Sequence, residues 1–205
     1  MRLSIIAVLV FGLVIAVMAL LLNQQPLPKG ATLYQGPGET NLDLNSPDNT
    51  LYLDLKDGRV VIQMRPDLAP LHVARIKELA RQGFYDGLAF HRVMDGFMAQ
   101  GGDPDGTGMG GSGQNLPAEF SSEKFVRGVV GMGRAQNINS ADSQFFLMLG
   151  EGRWLDKKYT IWGKVIDGMA FVDTIKKGDS QSNGKIDGEP DKIVRMHIAA
   201  DVAKD

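Results

Sequence analysis

The chain has 205 residues, a formal net charge of −2, three histidines, 25 glycines and no cysteine. The length suits one domain with an appendage. The missing thiols exclude disulfide scaffolds, thiolate metal sites and cysteine nucleophiles, and the near-neutral charge argues against a broad nucleic-acid surface.

The first predicted element is apolar. From Leu3 to Leu22 only Ser4 and Gly12 interrupt a run of Ala, Val, Ile, Leu, Met and Phe. As a helix this run would span about 30 Å, the thickness of a bilayer's hydrocarbon core. A cleavable signal has a shorter apolar stretch and a small-x-small site. The best candidate here, Val17-Met18-Ala19, would leave Leu20-Leu21-Leu22 as the new terminus. An uncleaved signal anchor over residues 1–22 is therefore expected, with Arg2 inside and the remainder exported. If the segment were cleaved, the product would be a soluble exported protein. Residues 23–48 carry Pro26, Pro28, Pro37 and Pro47 among glycines and read as a linker, with a short strand near Ala31–Tyr34. The folded domain is expected over 49–205.

Within it, Leu51–Lys56 and Arg59–Met64 flank Asp57-Gly58, a hairpin signal. Asp67–Gln82 has helical spacing, with Leu68, Leu71, Val73, Ile76, Leu79 and Ala80 in one stripe and Gly83 as its stop. Short apolar runs broken by glycine follow: Leu88–Met94, Phe97–Gln100, Val129–Met132, Ser143–Leu149, Thr160–Val165 and Ile193–Ala199. Asp167–Lys177 is the other helix candidate. Many short strands with two helices predict a barrel or sandwich.

Several letter matches carry no chemistry. Gly106-x-Gly108-x-x-Gly111 neither follows a parallel strand nor opens an amphipathic helix, as a dinucleotide fingerprint must. Asp103-x-Asp105-x-Thr107 starts like a calcium loop, but its twelfth position is Gln114. His72, His91 and His197 have no metal-ligand spacing, so no metal is expected, and no Gly-x-Ser-x-Gly elbow is present. What remains is an arginine, a glutamine and a Phe-Met pair on adjacent β-like segments, Phe90–Asp103, where Met98 and Gln100 share a strand face. With Ser143–Phe146 and Trp154-Leu155-Asp156 adjoining, these would make an apolar slot edged by a cation and amides. Such a slot suits a short apolar peptide segment held without covalent chemistry.

The stretch Phe90–Asp103, then Gly106-Thr107-Gly108-x-Gly110-Gly111, Pro117-Ala118-Glu119-Phe120, Arg127–Met132, Ser143–Phe146 and Trp154-Leu155-Asp156 through Gly163-Lys164-Val165, resemble the cyclophilin-type peptidyl-prolyl cis-trans isomerases. The Pro-Ala-Glu-Phe connection and the Arg134 segment look more like the bacterial branch. The resemblance runs from about Thr50 to about Ala200. It implies a mainly β fold, a closed eight-stranded antiparallel barrel capped by two α-helices, here preceded by one hydrophobic helix. It implies isomerisation of the bond before proline in polypeptide substrates, without a cofactor. Assistance to the folding of exported proteins is expected, by a monomer tethered through residues 3–22. The alternative is a proline-binding chaperone or assembly module, contacting partners through Asp103–Gln114, in which isomerisation is incidental.

By the same resemblance Arg92 is the catalytic donor to the amide nitrogen and holds the proline carbonyl. Phe97, Met98, Phe146 and Leu155 form the proline pocket. Gln100 and Gln144 bind substrate backbone or orient Arg92. The Arg134 backbone holds the carbonyl end that rotates or its neighbour, Gly133 is a further substrate-binding residue, and Trp154 sits on the rim where cyclosporin-type ligands bind. Departures are Tyr159 where many members have histidine, Gly133 for alanine, Arg134 for asparagine, Asp95 for proline, and a Gln136–Asp142 loop one residue longer. Tyr159 can still wall the pocket, so altered preference is expected rather than lost activity.

Overall fold

The computed structural model describes residues 42–202. The expected anchor, the linker up to residue 41 and the strand at Ala31–Tyr34 lie outside them. Residues 42–48, read as the end of the linker, are among the described residues. A 3₁₀ turn at Pro47–Asn49 leads in, and the Asn45 side chain accepts a hydrogen bond from Gln63 Nε2 at 2.9 Å.

Eight strands follow: β1 (Thr50–Leu55), β2 (Gly58–Met64), β3 (Arg92–Met94), β4 (Met98–Gly101), β5 (Val129–Met132), β6 (Phe145–Met148), β7 (Ile161–Asp167) and β8 (Arg195–Ile198). The helices are α1 (Pro70–Arg81), α2 (Met169–Asp173) and α3 (Ala199–Val202). All ladders are antiparallel, in the order β3-β4-β6-β5-β7-β2-β1-β8. The closed barrel expected from the resemblance is corrected to an open sheet, because the edge strands β3 and β8 do not pair with each other. The outer edge of β3 is taken by a loop instead: Val93 N–H donates to Gly184 O, and Gly178 N–H to Val93 O. Just before the two edge strands, Ala89 and Lys192 meet in a single antiparallel bridge. That bridge draws the edges together without a ladder.

Period two sorts the apolar residues of the central strands into two clusters. Ala99 of β4, Val130 and Met132 of β5, and Phe145 and Leu147 of β6 enter the main core with Leu51, Leu53, Ile62 and Trp162. Their neighbours Met98, Val129, Phe146 and Met148 face the opposite way and build a second cluster with Phe125 and Ile161. These strands are buried on both faces, which is why they read as continuous apolar runs rather than alternating ones.

The helix α1 begins at Pro70, not at Asp67 as its spacing predicts, because Leu68 and Ala69 hydrogen-bond back to Arg65 O in a turn. Proline then sits at N1, where its missing N–H costs nothing. The stripe is accordingly shorter than expected. Val73, Ile76, Leu79 and Ala80 are buried, but Leu71 is half exposed and Leu68 belongs to the second cluster. The helix predicted over Asp167–Lys177 forms only at Met169–Asp173. The run read as strand to Ala199 ends at Ile198 and turns into the short α3.

All three histidines are held below their ordinary pKa, chiefly by burial. Nearby carboxylates, Glu119 for His72 and Asp54 for His197, offset only part of that effect. The folded state therefore keeps these rings neutral where the unfolded chain would protonate, near pH ~6.5. Below that pH the unfolded state binds more protons, so stability is lost as pH falls. The thermal midpoint should be level above pH ~7 and should drop between pH ~6.5 and ~5. A midpoint unchanged across that interval would overturn the neutral-histidine account.

Candidate active site

A tight turn starts the site. Asp95-Gly96 joins β3 to β4, with Gly96 at φ +67° and Phe97 N–H donating to Met94 O. The resulting register sets Arg92 opposite Gln100 and Met94 opposite Met98. The next ladder sets Gln100 opposite Phe146, and the next sets Phe146 opposite Gly131. Cross-strand partners share a face, so Gly131, Phe146, Gln100 and Arg92 form one row across four strands. Gly131 makes the row possible. A Cβ there would lie 2.5 Å from Phe146 Cζ and 2.7 Å from Phe125 Cε1, so the Phe146 ring lies down over bare backbone.

On this row sits a cavity of about 130 Å³, lined by Arg92, Phe97, Met98, Gln100, Gly133, Arg134, Phe146, Leu155 and Tyr159. It is well short of the ~300 Å³ of a small drug-sized site and fits a single side chain. Its apolar floor continues into the second cluster: Phe125 stacks on Phe146 at 5.7 Å, and Tyr159 meets Phe146 edge-on at 6.0 Å. Phe97 reaches the same cavity as Met98, although adjacent strand residues should face apart. It precedes β4 and lies in the turn, so strand alternation does not govern it.

The Arg92 guanidinium is fixed at the mouth by four acceptors. Nη1 donates to Gln100 Oε1 at 3.1 Å, Nε to Asn183 O at 2.9 Å, and Nη2 to Asn183 Oδ1 at 2.7 Å and Met94 Sδ at 3.3 Å. Burial lowers its pKa from the ordinary value, yet arginine stays charged at neutral pH. The amide chain continues outward: Gln100 Nε2 donates to Gln144 Oε1 at 2.9 Å, and Gln144 Nε2 to Gly110 O at 2.8 Å. Each amide thus fixes the flip of the next, and Gln100 offers its oxygen to the guanidinium.

Arg134 lines the cavity in an unexpected way. Its side chain lies over the Tyr159 ring, with Cζ 4.4 Å from the centroid, and donates to Lys158 O and Ala135 O. Two of the residues that depart from the family pattern, Arg134 and Tyr159, therefore pack on each other. Trp154 is 61% exposed and does not line the cavity, but it rests on Phe97 with ring centroids 5.1 Å apart. Gly133 N–H donates to Gln144 O at 2.7 Å, which joins that backbone to the amide chain.

Sequence reasoning missed Asn183, which supplies two of the Arg92 acceptors. Its φ of +57° and the Asn183-Gly184 pair mark a left-handed turn, a signal available in the sequence. The glycine segment after Gln100 is likewise explained. The buried Asp103 carboxylate accepts from Asp105 N–H, Gly108 N–H and the Thr107 hydroxyl, and so wraps the loop that presents Gly110 O. Asp103 and its neighbours hold backbone.

The chain matches the family model of cyclophilin-type peptidyl-prolyl cis-trans isomerases over residues 50–198. It is 54% identical over 167 residues to a probable peptidyl-prolyl cis-trans isomerase of Brucella suis, covering 76% of this chain and 85% of that one. It is 37% identical over 142 residues to peptidyl-prolyl cis-trans isomerase B of Bacillus subtilis, covering 68% and 99%. Among solved structures it resembles the cyclophilin AquaCyp293 from Hirschia baltica, with a TM-score of 0.67, 28% identity and 76% of each chain covered. It also resembles a Cryptosporidium parvum cyclophilin-type isomerase determined in the presence of the dipeptide Ala-Pro, with a TM-score of 0.65, 28% identity and coverage of 73% and 98%.

Proposed function

This chain belongs to the cyclophilin-type peptidyl-prolyl cis-trans isomerases, and from that premise we propose which of its residues catalyse the rotation and where the enzyme works. The barrier is rotation about a partial double bond, about 18–20 kcal/mol. No bond is made or broken, so the site has only to favour a twisted amide whose nitrogen has become pyramidal. The single observation that carries the assignment is the Phe146–Gln100–Arg92 row, which puts a fixed cation at the mouth of a one-side-chain apolar cavity.

The proline ring enters the cavity between Phe97, Met98, Phe146, Leu155 and Tyr159. Arg92 holds the proline carbonyl and donates toward the amide nitrogen as its lone pair localises, an interaction stronger in the transition state than in the ground state. Gln100 and Gln144 orient Arg92 and meet substrate backbone. Gly133 and Arg134 border the carbonyl that precedes proline. Trp154 extends the rim and would contact a cyclosporin-type ligand. The segment Asp103–Gln114 serves this site through Gly110 O, which favours catalysis over a separate assembly role for that loop.

The apolar run Leu3–Leu22 supports export and tethering, so the clients would be exported polypeptides, met by a monomeric domain outside the membrane. Full-length chain produced in a Gram-negative host should be recovered with membranes. Its domain should be digested by protease added to spheroplasts, and its terminal mass should include residues 1–22. Protection from that protease would overturn export, and a mature start at Leu20 would replace the tether with a soluble exported form.

A further inference from the structure

The row that carries the site does not stop at Arg92. On its far side Arg92 pairs with Lys185 in an isolated antiparallel bridge, so Lys185 projects from the same face. Both line a second cleft of about 650 Å³, together with Gln100, His91, Thr107 and Asn183. Among the described residues the Lys185 ammonium has no hydrogen bond or ion pair, whereas Arg59, Arg65, Arg81 and Arg127 each hold an aspartate. Asp179 stands opposite Lys185 in a second isolated bridge, but its carboxylate accepts from Gln181 N–H and the Ser182 hydroxyl rather than from the ammonium, and Asp187 and Glu189 do not line the cleft.

We propose that this cleft is a subsite for the substrate chain on the C-terminal side of proline, and that Lys185 selects an acidic side chain two or three residues beyond the proline. The inference rests on the proposed placement of the proline ring in the small cavity and its carbonyl on Arg92. The following residue is bonded to that carbonyl carbon, so the chain leaves past the guanidinium. The cleft shares both Arg92 and Gln100 with the proline cavity and is the space it enters. Neighbouring strands lie about 4.8 Å apart and an extended chain advances about 3.3 Å per residue. One strand spacing plus the reach of a lysine therefore brings the second or third residue after proline to the ammonium. A carboxylate there would meet the Lys185 ammonium.

The test uses two peptide amides, Ala-Ala-Pro-Ala-Glu-Ala and Ala-Ala-Pro-Ala-Lys-Ala, with a second pair carrying the charge one residue further on. Isomerisation is followed by NMR exchange, so no coupling protease is needed. In one of the two registers the glutamate peptide should show about fivefold higher kcat/KM than its lysine partner, the size of a favourable exposed ion pair. The preference should shrink in high salt. Lys185→Ala should bring the ratio close to one and Lys185→Glu should invert it. A wild-type ratio of one in both registers, or a ratio that Lys185→Glu leaves in place, overturns the subsite. If the wild-type chain accelerates none of the four peptides, the proline placement itself fails and the subsite falls with it.

Discussion

Replacing Arg92 with alanine should lower kcat/KM on a short Xaa-Pro peptide by at least ~100-fold, about 2.7 kcal/mol of transition-state stabilisation. The size follows from what the guanidinium does. In the planar ground state the amide nitrogen has no lone pair to offer, so a donor beside it gains little. In the twisted state the lone pair localises and the donor is worth most. The gain depends on a guanidinium already in place, and the Asn183, Gln100 and Met94 acceptors hold it there before substrate arrives. The loss should therefore fall mainly on kcat. Arg92→Lys should recover little, because a single ammonium cannot satisfy Gln100 and Asn183 together while facing the substrate. A protease-coupled assay measures all three proteins, and equal rates for wild type and Arg92→Ala would remove the catalytic role assigned to this residue. Asn183→Ala, which deprives Nη2 of its side-chain acceptor, should lower kcat by a smaller factor through the same guanidinium.

The largest effect on stability should come from Glu119→Ala, a loss of about 3 kcal/mol. Glu119 lies in the connection between β4 and β5, yet it closes the N-terminus of α1. Its carboxylate accepts from Leu71 N–H at 3.1 Å, His72 N–H at 3.0 Å and the buried His72 Nδ1 at 2.6 Å. Its own N–H donates to the Thr160 hydroxyl at 3.0 Å. The helix has no capping side chain of its own, since Ala69 occupies the N-cap. A carboxylate also suits the positive end of the helix dipole. Without it, Leu71 N–H can turn to water, but the two His72 donors stay buried and unpaired at about 1–3 kcal/mol each. In a domain of this size that corresponds to a fall of roughly 6–12 °C in the thermal midpoint. Glu119→Gln keeps one acceptor oxygen and should lose about half as much. A shift under about 2 °C for the alanine variant would show that the cap is not a structural tie.

The parts of the site on one continuous stretch were legible from residues alone. Arg92, Met98 and Gln100 lie within a hairpin's length, and alternation places Met98 and Gln100 on one face of β4. Strand lengths were less legible. Leu88–Phe90 is as apolar as a strand but its partners lie at Asp191–Ile193, so it forms a bridge rather than part of β3. Apolarity reports burial, and burial does not say which neighbour satisfies the backbone. Glu119 shows the same limit. Its motif marked a family, but nothing local says that its carboxylate caps a helix 47 residues away.

Composition and order of residues by themselves determined the apolar N-terminal run, the β-rich pattern, the absence of cysteine and the family. These depend on local pattern, and period two and period 3.6 are properties of short segments. Only the tertiary structure decided that the sheet stays open at β3 and β8, that Asn183 anchors Arg92, that Arg134 packs on Tyr159, and that Lys185 stands opposite Arg92. Each of these joins segments far apart in the chain, and its energy comes from a partner that local sequence does not name. The near-neutral net charge of −2 likewise says nothing of where charges meet, and the bridge of Lys185 to both Arg92 and Asp179 comes from the fold alone.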